Sequence, residues 1–396
     1  MTLKLQKNIF MKDNKLKKIL NTFLNFKINF TLPLKKEIIV YDRISCYLLD
    51  NFPQKKINYI VLSTRKEIFN IFALLMMIVK FKISREEYFK SFIYLFRPKI
   101  IISASEYDIT FYKLKKFFPN IKFFMVQNGA RFKNDSSNLQ KKKLLNTKLE
   151  IDYFFVFSKY YANELKKFIK CNFIVIGSFK CNNVPINKFI IDKRSVIFIS
   201  TIRKQTKVNN KIIKANSSDK FSNNYWVEKY IVPILFEFCE NNNYKFRILL
   251  KTSKEKSTEE VKFFLNLVKK NKKCFIYKNF KKSSYEIVDK FENVVFTDST
   301  LGFEAIARGK KVVSIFSRKF DNKLLSNFLW PKFGPKSSNF FTSSNNKSEI
   351  IKLFKNNFKI STKHWTNINK NYIRNLIIYQ KNNTDFYSLI NKILYK

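Results

Sequence analysis

From residue 37 onward, short runs of β-branched and aromatic residues alternate with longer stretches in which apolar side chains recur every three or four positions. Runs that are apolar throughout suit strands covered on both faces, and the longer stretches suit amphipathic helices. The alternation therefore predicts strand-helix-strand units wound around a parallel sheet. In the first half the strands fall at Glu37–Tyr41, Asn58–Leu62, Lys99–Ser103, Lys122–Val126, Tyr153–Phe157 and Phe173–Ile176. Helical segments fall at Ile68–Val79, Arg85–Phe96 and Lys159–Ile169. The stretch Lys180–Arg194, with Asn182, Asn183 and Pro185, lacks periodicity and reads as a linker, placed at 181–194. A second alternation then supplies strands at Val196–Ser200, Phe246–Leu250, Cys274–Tyr277, Val294–Thr297 and Lys311–Ile315. Ser257 with Glu260 and Ser283 with Glu286 have capping-box spacing at helix starts, and the tail from Lys363 is helical again. The pattern thus predicts an α/β chain with two doubly wound parallel-sheet domains, at 37–180 and 195–360, followed by C-terminal helices at 361–396. A cleft would face the carboxyl ends of both sheets.

Composition narrows the class. A chain of 396 residues is long enough for two domains with a core each, and 45% hydrophobic content with 45 Phe excludes a disordered chain. The net charge of +48 raises a nucleic-acid role, because Lys and Arg neutralise phosphates. Inflated Lys, Asn, Ile and Phe beside scarce Gly, Pro, Trp and His resemble a compositional background. Background combined with phosphate-bearing substrates is the favoured reading, with nucleic acid an unlikely partner. Five scattered cysteines without a CxxC pair and a single His give no zinc site, and the free thiols suit a reducing, cytoplasmic setting. No secretory signal is legible, and the longest apolar run, Ile68–Val79, falls short of the ~20 residues of a membrane span. Residues 1–36 carry nine Lys against the single acid Asp13, interleaved with apolar residues. Such a basic segment suits peripheral contact with an anionic inner membrane face, and equally an ordinary packed helix.

With only five glycines, at 129, 177, 302, 309 and 334, their positions mark where the backbone demands them. The most informative segment is Asn293–Ile315, NVVFTDSTLGFEAIARGKKVVSI. A strand ends at Thr297, Asp298-Ser299-Thr300 can cap the next helix, Gly302 lies at its opening, and Gly309 stops it. Hydroxyls and free N–H groups at such a helix start form an anion site that fits a pyrophosphate. Glu304, one turn after Thr300, shares that face and could meet ribose hydroxyls. A well-capped structural helix with a solvated Glu fits the same residues.

The run DSTLGFEAIARGKKV resembles the bacterial surface carbohydrate biosynthesis protein family, related to GT-B glycosyltransferases and to polyol-phosphate transferases of wall and capsule assembly. VQNGAR at 126–131, FISTIRKQ at 198–205 and FLWPKFGPKSSNFFT at 328–342 match in order, so the similarity spans about residues 37 to 395. The resemblance implies two Rossmann-like domains of GT-B type. The substrates would be a nucleotide-activated sugar donor and a saccharide or lipid-linked acceptor in surface polysaccharide or lipopolysaccharide synthesis. Carried over by position, it implies that Ser299 and Thr300 hold donor phosphate and Glu304 the donor ribose. Ser200, Thr201 and Arg203 would face the cleft, Arg203 neutralising the departing phosphate. Gln127, Asn128 and Gly129 would look in from the acceptor side. Plain readings stand beside these: Arg203 as one more exposed cation, and Gln127-Asn128-Gly129 as an ordinary turn.

The chain departs from the polyol-phosphate transferases in having only His364, beside Trp365 near the terminal helices, where a structural role is expected. A general base must then be a carboxylate. Candidates after first-domain strands are Asp108, then Glu106, then Asp42, and Asp108 as a helix cap is the competing reading. No DxD pair ends a strand, so transfer without a catalytic metal or a cofactor is expected, with inversion because one base suffices. A polyol-phosphate transferase or nucleotide-sugar epimerase on the same fold, a basic nucleic-acid binder and an inactive scaffold are the alternatives.

Overall fold

A computed structural model describes residues 27–53, 57–62, 68–130, 149–186, 191–201, 225–278, 283–297, 299–315, 337–344 and 346–395. Before the crossover lie β1 (Lys27–Asn29), β2 (Ile38–Val40), β3 (Tyr59–Val61), β4 (Ile68–Asn70), β5 (Ile100–Ser103), β6 (Lys122–Val126), β7 (Leu149–Val156) and β8 (Ile169–Val175). Six of them form a parallel sheet in the order β3-β2-β5-β6-β7-β8, while β1 and β4 pair separately. After it come β9 (Asp192–Ile199), β10 (Lys245–Leu249), β11 (Phe275–Ile276), β12 (Phe291–Phe296), β13 (Lys311–Ile315), β14 (Ser337–Ser338) and β15 (Phe341–Thr342). Their order is β11-β10-β9-β12-β13-β15-β14, parallel except for the final β14–β15 pair.

The continuous apolar runs are strands because both faces are covered. Every residue of β2, β5 and β13 is buried, including Lys311, whose ammonium reaches the Phe358 and Ile360 carbonyls and Glu292. Helix Arg85–Phe96 forms where its periodicity predicts. Ser84 accepts from the Glu87 N–H at its start, acidic Glu86 and Glu87 occupy the positive end of the dipole, and Tyr88, Phe89, Phe92, Ile93 and Phe96 make the buried stripe.

Three expectations fail locally. Ile68–Val79 divides at Asn70, whose side chain accepts from the Ala73 N–H and caps a helix over Ile71–Val79, while Ile68–Asn70 pairs with β1. Lys159–Ile169 divides likewise, into helix Lys159–Leu165 and the start of β8. Period alone does not separate strand from helix in so short an apolar run. The Ser283–Glu286 capping box forms, but Ser257 makes no side-chain cap. The Glu260 carboxylate instead accepts from the Lys251 N–H at 2.9 Å, the Thr252 N–H at 3.1 Å, the Thr252 hydroxyl at 2.6 Å and the Ser200 hydroxyl at 2.6 Å.

The crossover is pinned rather than slack. Helix Phe179–Asn182 and the start of β9 both run into the stretch without periodicity. The buried Arg308 guanidinium pairs with Asp289 and donates to the carbonyls of Cys181, Val184 and Pro185. Helix Thr362–Leu376 then packs near both sheets, and helix Thr384–Leu394 returns to the first. There Phe386, Tyr387, Ile390 and Leu394 join Ile38, Val40, Phe124 and Phe155. No helix among the described residues is long and apolar enough to cross a membrane. Most of the basic segment at 1–36 and the polar loop Lys204–Asn224 lie outside the described residues.

Candidate functional site

Among the parallel strands of each sheet the chain crosses back once to grow on the other side of its first strand. The reversal falls between β2 and β5 in the first and between β9 and β12 in the second. Strands splay at such a point, leaving a crevice beyond their carboxyl ends where ligands of doubly wound sheets bind. The second sheet lines its crevice with hydroxyls. Ser200 and Thr201 follow β9 and Thr297 follows β12, and the two threonine hydroxyls lie 3.4 Å apart. Neither β9 residue dangles. Ser200 donates to Glu260 at 2.6 Å, and Thr201 donates its N–H and hydroxyl to Glu228 Oε1 at 2.9 and 2.8 Å.

Helix Thr300–Ala307 begins immediately beyond β12, with Ser299 as its N-cap residue but without a side-chain cap bond. The Gly302 and Phe303 N–H groups bond back to the Ser299 carbonyl, and the N–H groups before them have no intrahelical acceptor. Gly302 is there for packing. A Cβ on it would sit 2.2 Å from the Phe296 ring, so glycine lets the helix lie close on β12. Gly309, at φ +77°, stops the helix in the left-handed region as expected. Across the gap, the Thr300 hydroxyl accepts from the Ala130 N–H at 3.2 Å, so the helix start abuts the end of β6 in the other sheet.

Glu304 points away from open solvent. It is buried, its carboxylate accepts from the Ser178 hydroxyl beyond β8, and the Tyr285 hydroxyl also bonds to it. Burial raises its pKa, opposed by those two hydroxyls and by the nearby charges of Lys180 and Arg308. A ribose would have to displace Ser178 or Tyr285 to reach it. Asp298 and Arg203 lie outside the described residues.

The facing wall is built from the ends of β5 and β6. Gln127 is buried, accepting from the Phe157 N–H and donating to the Gly129 carbonyl, both at 2.9 Å, so it shapes the turn. Asn128 is placed by its own N–H, which donates to Glu106 Oε1 at 2.6 Å, while its side-chain oxygen accepts from Lys180 at 2.9 Å. Among the three carboxylate candidates, Glu106 is therefore the one bonded to the turn after β6, whose Ala130 meets Thr300. Asp42 is fully buried at the switch point and accepts from the Ser45 N–H and from the hydroxyls of Ser45, Ser103 and Ser105. Asp108 caps helix Ile109–Phe117 through the Thr110 N–H at 3.0 Å, and its other oxygen meets Arg85 at 2.7 Å and the Tyr41 hydroxyl at 3.1 Å. The first-ranked carboxylate thus performs the capping role.

Two further groups belong to this region. Glu228, in the first turn of Tyr225–Asn241, is fully buried, and its Oε2 has no hydrogen-bond partner among the described residues. Burial pushes its pKa up to about 8, against the pull of the two Thr201 hydrogen bonds. Lys180, the first residue of the stretch without periodicity, lies 4.7 Å over the Tyr47 ring and carries a positive charge to Asn128. Neither sits in a motif. An apolar helix with a lone acid in its first turn and a lysine at a strand-to-crossover junction are the only sequence signals they leave. His364 is exposed, and it is its neighbour Trp365 that packs inside, donating to Asn357 at 2.7 Å.

Solved structures of similar fold include S. aureus MnaA with UDP, at TM-score 0.52 and 12% identity, covering 91% of this chain and 96% of that one. The wall teichoic acid polymerase TagF with CDPG is similar at TM-score 0.48 and 13% identity, over 100% and 96% of the two chains. The UDP-GlcNAc 2-epimerase of Methanocaldococcus jannaschii, in complex with UDP-GlcNAc and UDP, gives 0.49 and 13% over 92% and 99%. At these identities the MnaA likeness shows the fold, a two-sheet GT-B architecture. No curated protein matches the chain. A family model described as "putative O-antigen biosynthesis protein" matches residues 124–394, which include the end of β6, the crossover, the whole second sheet and the returning C-terminal helix. Because that match takes in more than half of the chain, the chain belongs to this O-antigen biosynthesis family.

Proposed function

We propose that the chain is a glycosyltransferase that moves a sugar from a nucleotide-activated donor to a hydroxyl of a saccharide or lipid-linked acceptor in surface polysaccharide assembly. The observation that carries this reading is the amino end of helix Thr300–Ala307. It follows a switch-point strand and abuts the other sheet through the Ala130–Thr300 hydrogen bond. A diphosphate there would accept from the free helix N–H groups and from the Ser299 and Thr300 hydroxyls, with the dipole and Lys180 supplying positive potential. Glu228, held protonated near neutrality by burial, keeps one negative charge away from the phosphates. The family match and the UDP of the MnaA structure agree with a nucleotide-linked donor.

In the reaction the acceptor oxygen attacks the anomeric carbon, the bond from that carbon to the diphosphate breaks, and the nucleoside diphosphate departs. Glu106 is our candidate to take the acceptor proton, because it is bonded through the Asn128 N–H to the turn after β6, whose Ala130 meets Thr300. One base and one displacement correspond to inversion, without a catalytic metal. The test is release of nucleoside diphosphate from UDP-, CDP-, GDP- and dTDP-linked sugars with a lipid-linked saccharide acceptor. Acceptor-dependent release from one donor is expected, and no release from any of the four would defeat the proposal.

A further inference from the structure

Helix Ile71–Val79 has nine residues, all apolar, yet only Ala73 and Met77 of them are buried. These two lie one turn apart on the inward face, where the helix packs along Arg85–Phe96. Opposite them, Leu75, Ile78 and Val79 have the spacing of a single helix face and form an exposed stripe. The stripe continues into the turn that follows, where Val79 is 74%, Phe81 94% and Ile83 80% exposed. Exposed apolar residues scattered singly are ordinary, whereas five between positions 75 and 83 make a patch of the kind that marks an interaction surface. Phe81 holds its place at a left-handed φ of 53°, uncommon for a bulky residue, with its N–H donating to the Ile78 carbonyl at 2.8 Å.

Cations interleave with these side chains. Lys80, Lys82 and Arg85 are exposed, and no acid occurs from residue 71 to residue 85. The acids that follow are already engaged, Glu86 by Lys90 at 2.9 Å and Glu87 by Lys80 at 3.7 Å. Lys82 has no ion-pair partner among the described residues. A second exposed apolar group, Phe30, Leu32 and Leu34, lies between the exposed Lys27 and Lys35. It is tied to the start of the helix by the Asn70 side chain, which donates to the Thr31 carbonyl at 2.7 Å.

A nucleic acid would meet the lysines and leave the apolar side chains in water. A protein partner would need a pocket shaped to a turn that projects. An anionic bilayer satisfies both sets of groups, since the apolar side chains enter the acyl boundary while the ammonium groups stay among the phosphates. We propose that the exposed stripe of helix Ile71–Val79 and the turn 79–83 dock the chain on an anionic lipid surface as a peripheral contact. Arg85 pairs with Asp108 at 2.7 Å, two residues beyond Glu106, so this docking brings the bilayer beside the loop that carries the candidate base. That orientation rests on the transferase reading, whereas the binding itself needs neither donor nor turnover.

Flotation of the full chain with vesicles tests the binding. The chain should float with vesicles of equimolar phosphatidylglycerol and phosphatidylcholine and bind pure phosphatidylcholine at least about tenfold more weakly. Phe81→Ser combined with Ile83→Ser should weaken binding to the anionic vesicles at least about tenfold, and Lys80→Gln combined with Lys82→Gln about threefold or more. Equal binding to the two kinds of vesicle would overturn the proposal. So would unchanged affinity in the folded serine variant, which would place the contact elsewhere, as on residues 1–26. A wild-type dimer in sedimentation velocity that the serine variant loses would assign the surface to a second copy of the chain instead. Should the serine variant fail to melt cooperatively, Phe81→Trp decides. Its fluorescence should be quenched by brominated anionic vesicles beyond the quenching of the wild type, and equal quenching would overturn the proposal.

Discussion

Glu228 accepts from the Thr201 N–H and hydroxyl on one carboxylate oxygen and leaves the other buried, without a partner among the described residues. Burial raises its pKa from an ordinary 4.5 to about 8, so between those values the native state keeps a proton that the unfolded chain has released. Stability is therefore undiminished by this group below about pH 4.5 and falls as pH rises toward 8, by on the order of a few kcal/mol. Glu228→Gln should melt like the wild type at pH 5 and clearly higher at pH 8. Equal melting at both pH values would contradict the assignment. The carboxylates of the first sheet divide in the same physical way. Asp108→Asn retains an oxygen for the Thr110 N–H and loses a partly exposed ion pair with Arg85, which should leave turnover within a few-fold. Glu106→Gln should lower kcat at least about a hundredfold if this group takes the acceptor proton. The reverse order would restore Asp108 as the base. At this scale little was legible. Residue types and strand ends nominated Asp42, Glu106 and Asp108 alike, and only their partners separate them: four serine-derived donors for Asp42, a helix cap for Asp108, and the Asn128 N–H for Glu106.

Elements were far more legible, because a strand buried on both faces announces itself as an unbroken apolar run. Lys122–Val126, Lys311–Ile315 and Arg85–Phe96 form over the ranges their patterns predict. Failures came where a local rule met a stronger distant partner. Glu260 has the spacing to cap its own helix, yet four donors from residues 200, 251 and 252 engage its carboxylate and tie the helix to the ends of β9 and β10. Gly302 shows the converse, a residue read as part of an anion site whose visible demand is steric. Gly302→Ala would press a methyl into the Phe296 ring and should destabilise the chain by about 1–3 kcal/mol in denaturant unfolding. A loss below about 0.5 kcal/mol would mean that helix Thr300–Ala307 shifts freely on β12.

At the scale of the whole molecule, two parallel sheets followed by C-terminal helices were anticipated in outline, whereas the return of the last helix to the first sheet and the fastening between sheets were not. Contacts such as Ser178–Glu304, Ala130–Thr300 and Arg308 with the crossover carbonyls join residues more than 100 positions apart, and no periodicity encodes them. Arg308 carries the most. Its buried pair with Asp289 and its three carbonyl acceptors mean that Arg308→Ala leaves an unpaired buried carboxylate, with an expected loss of about 3–5 kcal/mol in unfolding free energy. A loss under 1 kcal/mol would show that the crossover is held by other contacts. The same fastening holds the start of helix Thr300–Ala307 against the turn after β6, and on that approach the transfer reading depends. Its most direct test is a thermal-shift comparison of wild type and Thr300→Val with UDP, CDP, GDP, ADP and inorganic pyrophosphate. Ligand bound only to the folded chain raises its melting temperature. One nucleoside diphosphate should do so in the wild type and do so markedly less in Thr300→Val. No shift with any of the five, or an equal shift in the variant, would contradict a diphosphate site at the start of this helix.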